Sequence, residues 1–343
     1  MVDLVRVGII GCGKISEADH IPGYLATQGC QITALFDSRT QRMAEVQEKF
    51  PELKEAACFD KEEDLLASGK VDAVSICTPN DCHYPQTMAA CRAGLHVLCE
   101  KPMAATLEQT TQMIEAAREA GVILQINQSL RYSGQYQTVV DLVREGAIGE
   151  PFHVRCIRGG DGTPNVGWSP GADWFVQKKH EGGLLVDIGI HMADFMRMIM
   201  GDAEKVAGLV DSRLPDIDVA DNVNAILRYQ NGGTGVLELS WTMPGGAGFL
   251  EVYGTEGRIR MGFSKDGTEL WKAGKEDDAA TTYPDSPPHG TSQQVFLDAI
   301  QGKGPSLTPG EYGRRALALC IAIQESSDTG TFVPVRHFDD EDA

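Results

Sequence analysis

The stretch VRVGIIGCGKIS, residues 5–16, decides the fold of this chain. Its apolar, β-branched first half predicts a strand, Val5–Ile10, that runs directly into Gly11 and Gly13 and then into a helix. In such a turn the first glycine permits the tight bend, and the second lets a pyrophosphate approach the backbone. Ser16 stands where a third glycine is common and is still small enough for the helix to pack closely on the strand. The stretch therefore predicts a dinucleotide-binding turn, with contacts expected from Gly11, Gly13, Lys14 and Ile15.

Short β-branched runs alternate with helical stretches over the first 126 residues. The predicted strands are Val5–Ile10, Ile32–Phe36, Ala56–Phe59, Val71–Cys77, His96–Cys99 and Val122–Ile126. The clearest predicted helices are Thr40–Phe50, Pro85–Ala93 and Leu107–Ala120. This alternation is typical of βαβ units with helices on both faces of a parallel sheet. We therefore expect an α/β fold that begins with a doubly wound Rossmann domain over residues 1–126.

The alternation ends near Asn127, and residues 127–343 predict a second, α+β domain. Its predicted helices are Gly134–Glu145, Gly183–Met200, Ser292–Gln301 and Glu311–Ser327. Its predicted strands are Phe152–Arg158, Val206–Val210, Asn222–Tyr229, Thr234–Thr242, Phe249–Tyr253, Ile259–Phe263 and a short one after the last helix. Asn231-Gly232-Gly233 joins two alternating runs as a hairpin, so a large, mostly antiparallel open sheet is expected. The acidic, proline-rich stretch Lys275–His289 is predicted to be a surface loop.

The second predicted strand ends at Asp37, 24 residues after Gly13 (37 − 13). A carboxylate at this position, with Ser38 beside it, accepts the ribose hydroxyls of an adenosine and repels a 2′-phosphate, which favours NAD over NADP. NADP stays possible because Arg39 and Arg42 follow closely and can pair with that phosphate. The alternative role for Asp37 is to cap the helix that begins near residue 40.

Composition excludes several classes of function. The chain has 30 Lys and Arg against 49 Asp and Glu, a net charge of −19, which disfavours nucleic acid and anionic membrane surfaces as partners. Its nine cysteines form no CxxC pair, as expected for free thiols in a reducing compartment. We see no signal peptide and no apolar stretch as long as a membrane span, so a cytoplasmic protein is expected.

Two motifs follow the ends of neighbouring predicted strands. Thr78-Pro79-Asn80 comes after Val71–Cys77, with His83 shortly beyond, and Glu100-Lys101-Pro102 comes after His96–Cys99. Ligands of doubly wound sheets bind at the carboxyl ends of strands, so both motifs are expected at the site. A lysine ammonium there would stabilise the alkoxide that develops when a secondary alcohol loses hydride.

A third motif opens the long helix of the second half. Asp187 and His191 are spaced i, i+4, so both are expected on one helix face. A histidine can take a hydroxyl proton near neutral pH, and Asp187 can orient it or bind a neighbouring hydroxyl. The pair can also bind a metal, but no companion ligands appear at a recognised spacing, so no metal is expected. Three glycines are expected to let a cofactor or substrate approach the backbone: Gly182, Gly183 and Gly189.

Together these motifs, with Gly254-Thr255-Glu256-Gly257, resemble the Gfo/Idh/MocA family of oxidoreductases over essentially the whole chain. The resemblance implies a nicotinamide cofactor between the domains, sugar, cyclitol or related polyol substrates, and homodimers or homotetramers formed through the C-terminal sheet. It implies catalytic roles for Lys101, Asp187 and His191, with His191 as acid and base and all three also at the substrate. It places at or near the nicotinamide half of the cofactor Thr78, Pro79, Asn80, His83, Glu100, Lys101, Asn127 and Gln128.

The stretch from Gly159 to Glu181 departs from the resemblance, and substrate choice is expected to lie there. Its tryptophans can stack on a sugar ring, or they can simply anchor a glycine- and proline-rich loop. The candidate substrate contacts are Arg131, Arg158, Trp168, Asp173 and Trp174.

The leading hypothesis is a reversible NAD(P)-dependent dehydrogenase that moves hydride between nicotinamide and a secondary hydroxyl. A second is a glycosidase that uses tightly bound NAD for transient oxidation and elimination. The third is a non-catalytic sensor that binds a dinucleotide. It ranks last because a sensor need not retain Lys101, Asp187 and His191.

Overall fold

The computed structural model describes residues 4–262, 267–274, 279–287 and 290–337. These residues form two compact units. One comprises Met1–Gln128 with Gly290–Arg314, and the other comprises Ser129–His289 with Arg315–Ala343. The predicted domain boundary after residue 126 lies beside the observed division after Gln128. The segment 290–314, which the sequence placed in the second domain, belongs to the first unit.

The first unit is built on a six-stranded parallel sheet with the strand order β3-β2-β1-β4-β5-β6. Its strands are β1 (Val5–Ile10), β2 (Cys30–Phe36), β3 (Ala57–Phe59), β4 (Ala73–Ile76), β5 (His96–Glu100) and β6 (Leu124–Asn127). Its first helices are α1 (Ile21–Ala26), α2 (Gln41–Lys49), α3 (Glu62–Ala67), α4 (Asn80–Arg92) and α5 (Leu107–Ala120). The strand order reverses between β1 and β4, so the carboxyl ends of these strands flank the crevice where such sheets bind ligands. The predicted Rossmann domain is confirmed.

The second unit contains a nine-stranded sheet in the order β14-β13-β12-β11-β7-β10-β9-β8-β15. Its strands are β7 (Pro151–Asp161), β8 (Ala203–Asp211), β9 (Asn222–Tyr229), β10 (Thr234–Ser240), β11 (Thr242–Gly254), β12 (Gly257–Gly262), β13 (Thr268–Lys272), β14 (Thr281–Tyr283) and β15 (Val333–Pro334). The remaining helices of the chain are α6 (Gly134–Arg144), α7 (Ile190–Met200), α8 (Ser292–Ile300) and α9 (Gly310–Thr329). Every pairing is antiparallel except that of β7 with β10, so the predicted mostly antiparallel sheet is confirmed.

One face of this second sheet is covered and the other is open. Along β9, the side chains of Val223, Ala225 and Leu227 are buried, whereas those of Asn224 and Ile226 are exposed. Successive residues of a strand point to opposite faces, so this alternation means that only one face packs against the core. Helix α7 packs on the covered face through β7.

Three predictions differ from the structure. Helix α4 begins at Asn80 rather than Pro85, because Pro79 ends the preceding extended segment and Pro85 is accommodated inside the helix. Helix α3 and strand β13 were not predicted, since both are short. The predicted loop Lys275–His289 contains β14, and its residues 275–278 and 288–289 lie outside the described part of the chain, as does Phe263. Within the described ranges, no helix has both the length and the hydropathy needed to cross a bilayer.

Candidate functional site

The glycine turn after β1 has the geometry that its sequence predicts. Gly11 has a φ of +94°, and a Cβ there would lie 2.8 Å from the Cys77 carbonyl oxygen, so only glycine fits. A Cβ on Gly13 would meet no heavy atom within 4 Å, which leaves room for a ligand beside the backbone. Ser16 is buried, and its hydroxyl donates to the Gly13 carbonyl at 2.7 Å. The turn therefore leaves room for a pyrophosphate, and its contacts with Gly11, Gly13, Lys14 and Ile15 stay a prediction.

Asp37 lies at the end of β2 and is held by the backbone. Its Oδ2 accepts from the N–H of Cys12 at 2.9 Å, and its Oδ1 accepts from the N–H of Arg39 at 2.8 Å. A bond to the residue two positions on is an Asx turn, so Asp37 does not act as the cap of α2. The carboxylate is thereby fixed beside the glycine turn, where it can accept ribose hydroxyls.

The two arginines behind Asp37 differ in their surroundings. Arg42 donates to the Cys12 carbonyl through Nε at 3.1 Å and Nη2 at 2.9 Å, and it forms ion pairs with Glu17 and Glu45. Arg39 is exposed, with its Nε 3.8 Å from Asp37 Oδ1. To pair with a 2′-phosphate, Arg42 would have to give up these partners, so the arrangement favours NAD.

His83 does not face a cofactor, in contrast to the prediction. Its ring is 1% exposed, with Nδ1 2.7 Å from the Pro102 carbonyl oxygen and Nε2 2.8 Å from the Thr78 carbonyl oxygen. Both ring nitrogens are therefore engaged by protein backbone. Burial lowers the pKa of His83, although the two carbonyl groups oppose this shift. His83 thus connects the two motif loops rather than contacting a ligand.

Two consecutive side-chain hydrogen bonds link Thr78 to helix α3. Its hydroxyl donates to Gln86 Oε1 at 2.5 Å, and Gln86 Nε2 donates to Glu62 Oε2 at 2.7 Å. Burial raises the pKa of the Glu62 carboxyl. Asn80 is buried at the first turn of α4, and Pro79 precedes it. The Thr-Pro-Asn motif is therefore rigid at the end of β4.

Glu100 is buried, and both of its oxygens are used within the protein. Oε1 accepts from His20 Nε2 at 2.9 Å and from Asn127 Nδ2 at 2.6 Å, and Oε2 accepts from the Lys101 N–H at 3.2 Å. The predicted contact of Glu100 with nicotinamide is thus replaced by contacts that support its neighbours. Lys101 itself is half-buried at the carboxyl end of β5.

The Glu100–His20 pair is an ion pair. Burial opposes both charges, but their mutual hydrogen bond and attraction outweigh it, so the pKa of Glu100 is lowered. Burial opposes a charge on His20 as well, but the hydrogen bond and the charge of Glu100 help to raise the pKa of His20 well above its usual value. On its other nitrogen, His20 Nδ1 lies 2.7 Å from Ser75 Oγ. The buried His20–Glu100 pair therefore contacts the backbone N–H of Lys101.

Asp19, His20 and Glu100 bring possible metal-ligand atoms within 4.8 Å of one another. Asn127 Nδ2 already lies among them, 2.9 Å from Asp19 Oδ2 and 2.6 Å from Glu100 Oε1. An amide donor thus satisfies these oxygens, and the group needs no ion.

Two buried amides at the end of β6 retain unsatisfied polar atoms. Among the described residues, Asn127 Oδ1 and both side-chain polar atoms of Gln128 have no hydrogen-bond partner, although both residues are 1% exposed. Buried amides are almost always satisfied in folded proteins. These atoms, with the glycine turn and Asp37, fit a bound dinucleotide.

In the second unit, Asp187 and His191 lie on consecutive turns. Asp187 is within a π-helical turn, Leu185–Gly189, that runs into α7, where His191 is the second residue. Such turns are rare and occur mostly at functional sites. Both side chains are half-buried, so they remain accessible from one side.

The neighbouring glycines differ in how closely protein atoms surround them. A Cβ on Gly182 would lie 2.4 Å from the Phe175 carbonyl oxygen, and one on Gly189 would lie 3.1 Å from Leu239 Cδ1. Gly183 has a φ of +123° and packs near Val219. Protein backbone fills the space beside Gly182, whereas the approach of a cofactor or substrate at Gly183 and Gly189 stays a prediction.

The predicted substrate arginines are both engaged. Arg131 is buried, and its Nε and Nη2 each donate to Asp194 at 2.6 Å. Arg158 is half-buried, and its Nη1 donates to Tyr136 Oη at 3.2 Å. The bidentate ion pair between Arg131 and Asp194 favours a structural role for Arg131. Its contact with a substrate therefore remains a prediction.

Phe175 organises the predicted substrate loop. Trp174 stacks on its ring at 3.7 Å, and Trp168 meets it edge-on at 6.1 Å. Trp168 keeps 47% of its surface exposed, and Asp173 accepts from Asn165 Nδ2 at 3.0 Å. The loop is therefore anchored and still presents an aromatic face to a ligand, which keeps both interpretations of these residues open.

Comparison with known proteins identifies the family. Residues 5–128 match the oxidoreductase family with an NAD-binding Rossmann fold, and residues 136–260 match the GFO/IDH/MocA C-terminal domain. The chain belongs to the Gfo/Idh/MocA family. As predicted, it is an oxidoreductase with an NAD-binding domain.

Similar family members cover nearly the whole chain. The 1,5-anhydro-D-fructose reductase of Ensifer adhaerens is 30% identical over 331 residues, 95% of this chain and 97% of that protein. The D-glucoside 3-dehydrogenase of Escherichia coli is 29% identical over 358 residues, 96% of this chain and 97% of that protein. A crystal structure of an oxidoreductase from Thermotoga maritima has a TM-score of 0.83 at 27% identity, covering 96% of this chain and 98% of its own.

Sequence reasoning missed His20, Ser75 and Tyr24, which complete the polar network behind Glu100. In the sequence, His20 is simply a residue of the helical stretch after the glycine turn. Its hydrogen-bond partner, Glu100, is 80 positions away. A histidine on the apolar side of that helix was the available signal. It did not indicate which strand the ring would face.

Proposed function

We propose that this protein is a reversible NAD-dependent dehydrogenase that acts on a secondary hydroxyl of a sugar, cyclitol or related polyol. The observation that carries the proposal is the fixed Glu100–Lys101 pair at the end of β5, in the same sheet as a glycine turn with a ribose-binding Asp37. Support for the substrate class comes from the reductase of Ensifer adhaerens and the D-glucoside 3-dehydrogenase of Escherichia coli.

In this mechanism, His191 accepts the proton of the substrate hydroxyl, and Asp187 orients His191 or binds an adjacent hydroxyl. Lys101 donates to the same oxygen and stabilises its developing negative charge. A nicotinamide held by the first unit would supply the hydride acceptor. The C–H bond of the carbinol carbon and its O–H bond break, so the products are a carbonyl, reduced cofactor and one proton.

Cofactor contacts are assigned by motif and position. Gly11, Gly13, Lys14 and Ile15 would hold the pyrophosphate, and Asp37 and Ser38 the adenosine ribose. Thr78, Pro79, Asn80, Asn127 and Gln128 would surround the nicotinamide half. His83 and Glu100 are left out of direct contact because their polar atoms face protein partners.

We also place the protein in the cytoplasm and propose a homodimer or homotetramer. The nine cysteines carry free thiols, which suits a reducing compartment. The open face of the nine-stranded sheet carries Leu209 and Ile226 at 65% and 56% exposure. Arg155 and Arg260 lie over the Phe249 ring on this face at 5.3 and 5.0 Å. An exposed apolar face with charged residues around it is typical of a protein interface.

The test is cofactor reduction, followed by absorbance, with NAD or NADP and a panel of aldoses, cyclitols and glycosides. We expect one substrate group to reduce NAD in the wild type. Lys101→Ala and His191→Ala should each lose about 10²-fold or more of kcat. The matched control is Lys303→Ala, which removes an exposed lysine from the same unit as Lys101.

Other outcomes identify the alternatives. Glycoside cleavage without accumulation of reduced cofactor would point to the redox-assisted glycosidase. Tight NAD binding without turnover of any substrate in the panel would favour the sensor and contradict the proposal.

A further inference from the structure

The two sequence neighbours of Lys101 are each held by a buried histidine. On one side, His20 Nε2 bonds the Glu100 carboxylate at 2.9 Å, and on the other, His83 Nδ1 contacts the Pro102 carbonyl oxygen at 2.7 Å. His20 is fully buried and His83 is 1% exposed. Neither ring reaches solvent, so neither is placed to exchange protons with a substrate.

His83 is shared between two loops. Its nitrogens face two carbonyl oxygens, those of Pro102 and Thr78, at 2.7 and 2.8 Å. A carbonyl only accepts, and a neutral imidazole has one N–H, so the neutral ring donates to one loop at a time. Glu100 and Lys101 are the charged groups that act on this ring. With its N–H on Nδ1, His83 donates to the Pro102 carbonyl, at the residue that follows Lys101, and its ring lies between the ends of β4 and β5.

His20 acts from the opposite side through one carboxylate. An ionised carboxylate only accepts, so His20 Nε2 must carry the proton in its bond to Glu100. The other oxygen of Glu100 accepts the Lys101 N–H at 3.2 Å, so the same carboxylate joins His20 to the lysine backbone. Besides Glu100, the groups that face His20 are Asp19, Ser75, Cys77 and Asn127.

We infer that His20 and His83 are positioning residues for the reaction. They fix the backbone on both sides of Lys101 and thereby aim its ammonium at the substrate oxygen. This inference rests on the proposed function of Lys101. The lysine side chain has four flexible carbons. Fixing its backbone therefore limits the positions that its ammonium can reach. Supporting residues of this kind change rates rather than supply reacting atoms.

The first test measures Lys101 without cofactor, substrate or turnover. Lysines are dimethylated with ¹³C-formaldehyde, and the Lys101 resonance is assigned by its loss in Lys101→Arg. We expect His83→Ala and His20→Ala to shift and broaden this resonance. His96→Gln is the matched control, because His96 also holds a backbone group of the same sheet by accepting from the Ile123 N–H at 2.9 Å. A Lys101 resonance that stays the same in both alanine variants overturns the inference.

The second test separates positioning from folding by steady-state kinetics and thermal unfolding. We expect the alanine variants to lose about 10- to 100-fold of kcat, with KM and NAD affinity within about threefold of wild type. His83→Gln and His20→Gln, which keep one N–H donor, should recover much of the kcat. His96→Gln should lower Tm without this loss.

The outcomes also separate this inference from the proposed function. Activity retained in Lys101→Ala would defeat the proposed role of the lysine. Loss of activity in Lys101→Ala with wild-type kcat in both histidine-to-alanine variants would defeat the positioning role alone. A fall of kcat that only tracks Tm, equally in His96→Gln, would also defeat it.

Discussion

At the end of β2, the carboxylate of Asp37 accepts from the N–H groups of Cys12 and Arg39 at 2.9 and 2.8 Å. These bonds leave the side chain one orientation, and they hold a negative charge where an adenosine 2′-substituent would lie. At the scale of single residues, we propose that this charge sets the preference for NAD over NADP. The buried pair of His20 and Glu100 is expected to make the free energy of unfolding depend on pH.

Asp37→Asn should reverse part of the cofactor preference. We expect kcat/KM for NAD to fall about 10- to 100-fold, because a charged hydrogen bond contributes about 1.5–3 kcal/mol. Activity with NADP should rise, since the repulsion of a 2′-phosphate is removed. Steady-state kinetics with both cofactors measures this ratio, and Asp60→Asn, an exposed carboxylate of the same unit, is the control. An unchanged NAD/NADP ratio would contradict the role of Asp37.

The His20–Glu100 pair predicts a pH-dependent stability. The folded-state pKa of His20 lies above its unfolded value of about 6.5, so its contribution is fully present below that pH. It is lost as pH rises through the folded-state pKa. The difference in unfolding free energy between wild type and His20→Gln should therefore shrink as pH increases above about 6.5. Urea unfolding from pH 6 to pH 10 measures it, and a difference that grows with pH would refute the ion pair.

At the scale of secondary-structure elements, most residues of the proposed site lie in the connections rather than within the strands. Asp19 and His20 lie in a π-helical turn, Ser16–His20, before α1, and Asp187 lies in another before α7. π-Turns widen a helix locally and cluster at functional sites. The glycine turn lies between β1 and the π-helical turn Ser16–His20. Substitutions of its two glycines, Gly11 and Gly13, are expected to have different effects on stability and on NAD binding.

Gly11→Ala and Gly13→Ala should have different effects. A Cβ at Gly11 meets the Cys77 carbonyl at 2.8 Å and requires a φ of +94°, so we expect a loss of about 1–3 kcal/mol of stability. A Cβ at Gly13 meets nothing within 4 Å, so the fold should keep its Tm while NAD affinity falls about tenfold, 1.4 kcal/mol. Thermal unfolding and NAD titration distinguish them. Equal Tm losses would show that the space beside Gly13 is not reserved for a ligand.

At the scale of the whole molecule, the two faces of the nine-stranded sheet differ in the exposure of their apolar side chains. The covered face of β9 carries buried Val223, Ala225 and Leu227, and the open face carries Ile226 at 56% exposure. Leu209 pairs with Asn224 beside it and is 65% exposed. We propose that a second copy of the chain covers this exposed apolar sheet face.

Ile226→Asp should therefore dissociate the assembly. We expect the wild type to have a mass that is a multiple of 37.1 kDa, and the variant to shift toward 37.1 kDa by light scattering after size exclusion. A buried unpaired charge at an interface is the physical reason. Leu25→Asp on α1, which changes an exposed leucine of the first unit, should leave the mass unchanged. A monomeric wild type would refute the proposed interface.

Much of this architecture was predictable because its determinants are local. The alternation of strands and helices before residue 127 and the hairpin at Asn231-Gly232-Gly233 are periodic patterns within short windows. The glycine turn, Asp37 and the Thr-Pro-Asn and Glu-Lys-Pro motifs were located for the same reason, since each follows a strand that the pattern predicts. The carboxyl ends of parallel strands share one edge, so these motifs could be assigned to one site.

Only the tertiary structure decided which of those residues face a ligand and which face the protein. His83 and Glu100 carry the right chemistry at the right strand ends, yet their polar atoms bond protein groups that come from other elements. The carbonyl of Phe175 occupies the space beside Gly182, and Arg131 forms an ion pair with Asp194 on a later helix. The sequence by itself determined the sheet and the turn, because hydrophobic period and backbone freedom are local. The contacts between side chains distant in sequence needed the folded core, because they depend on how strands and helices pack.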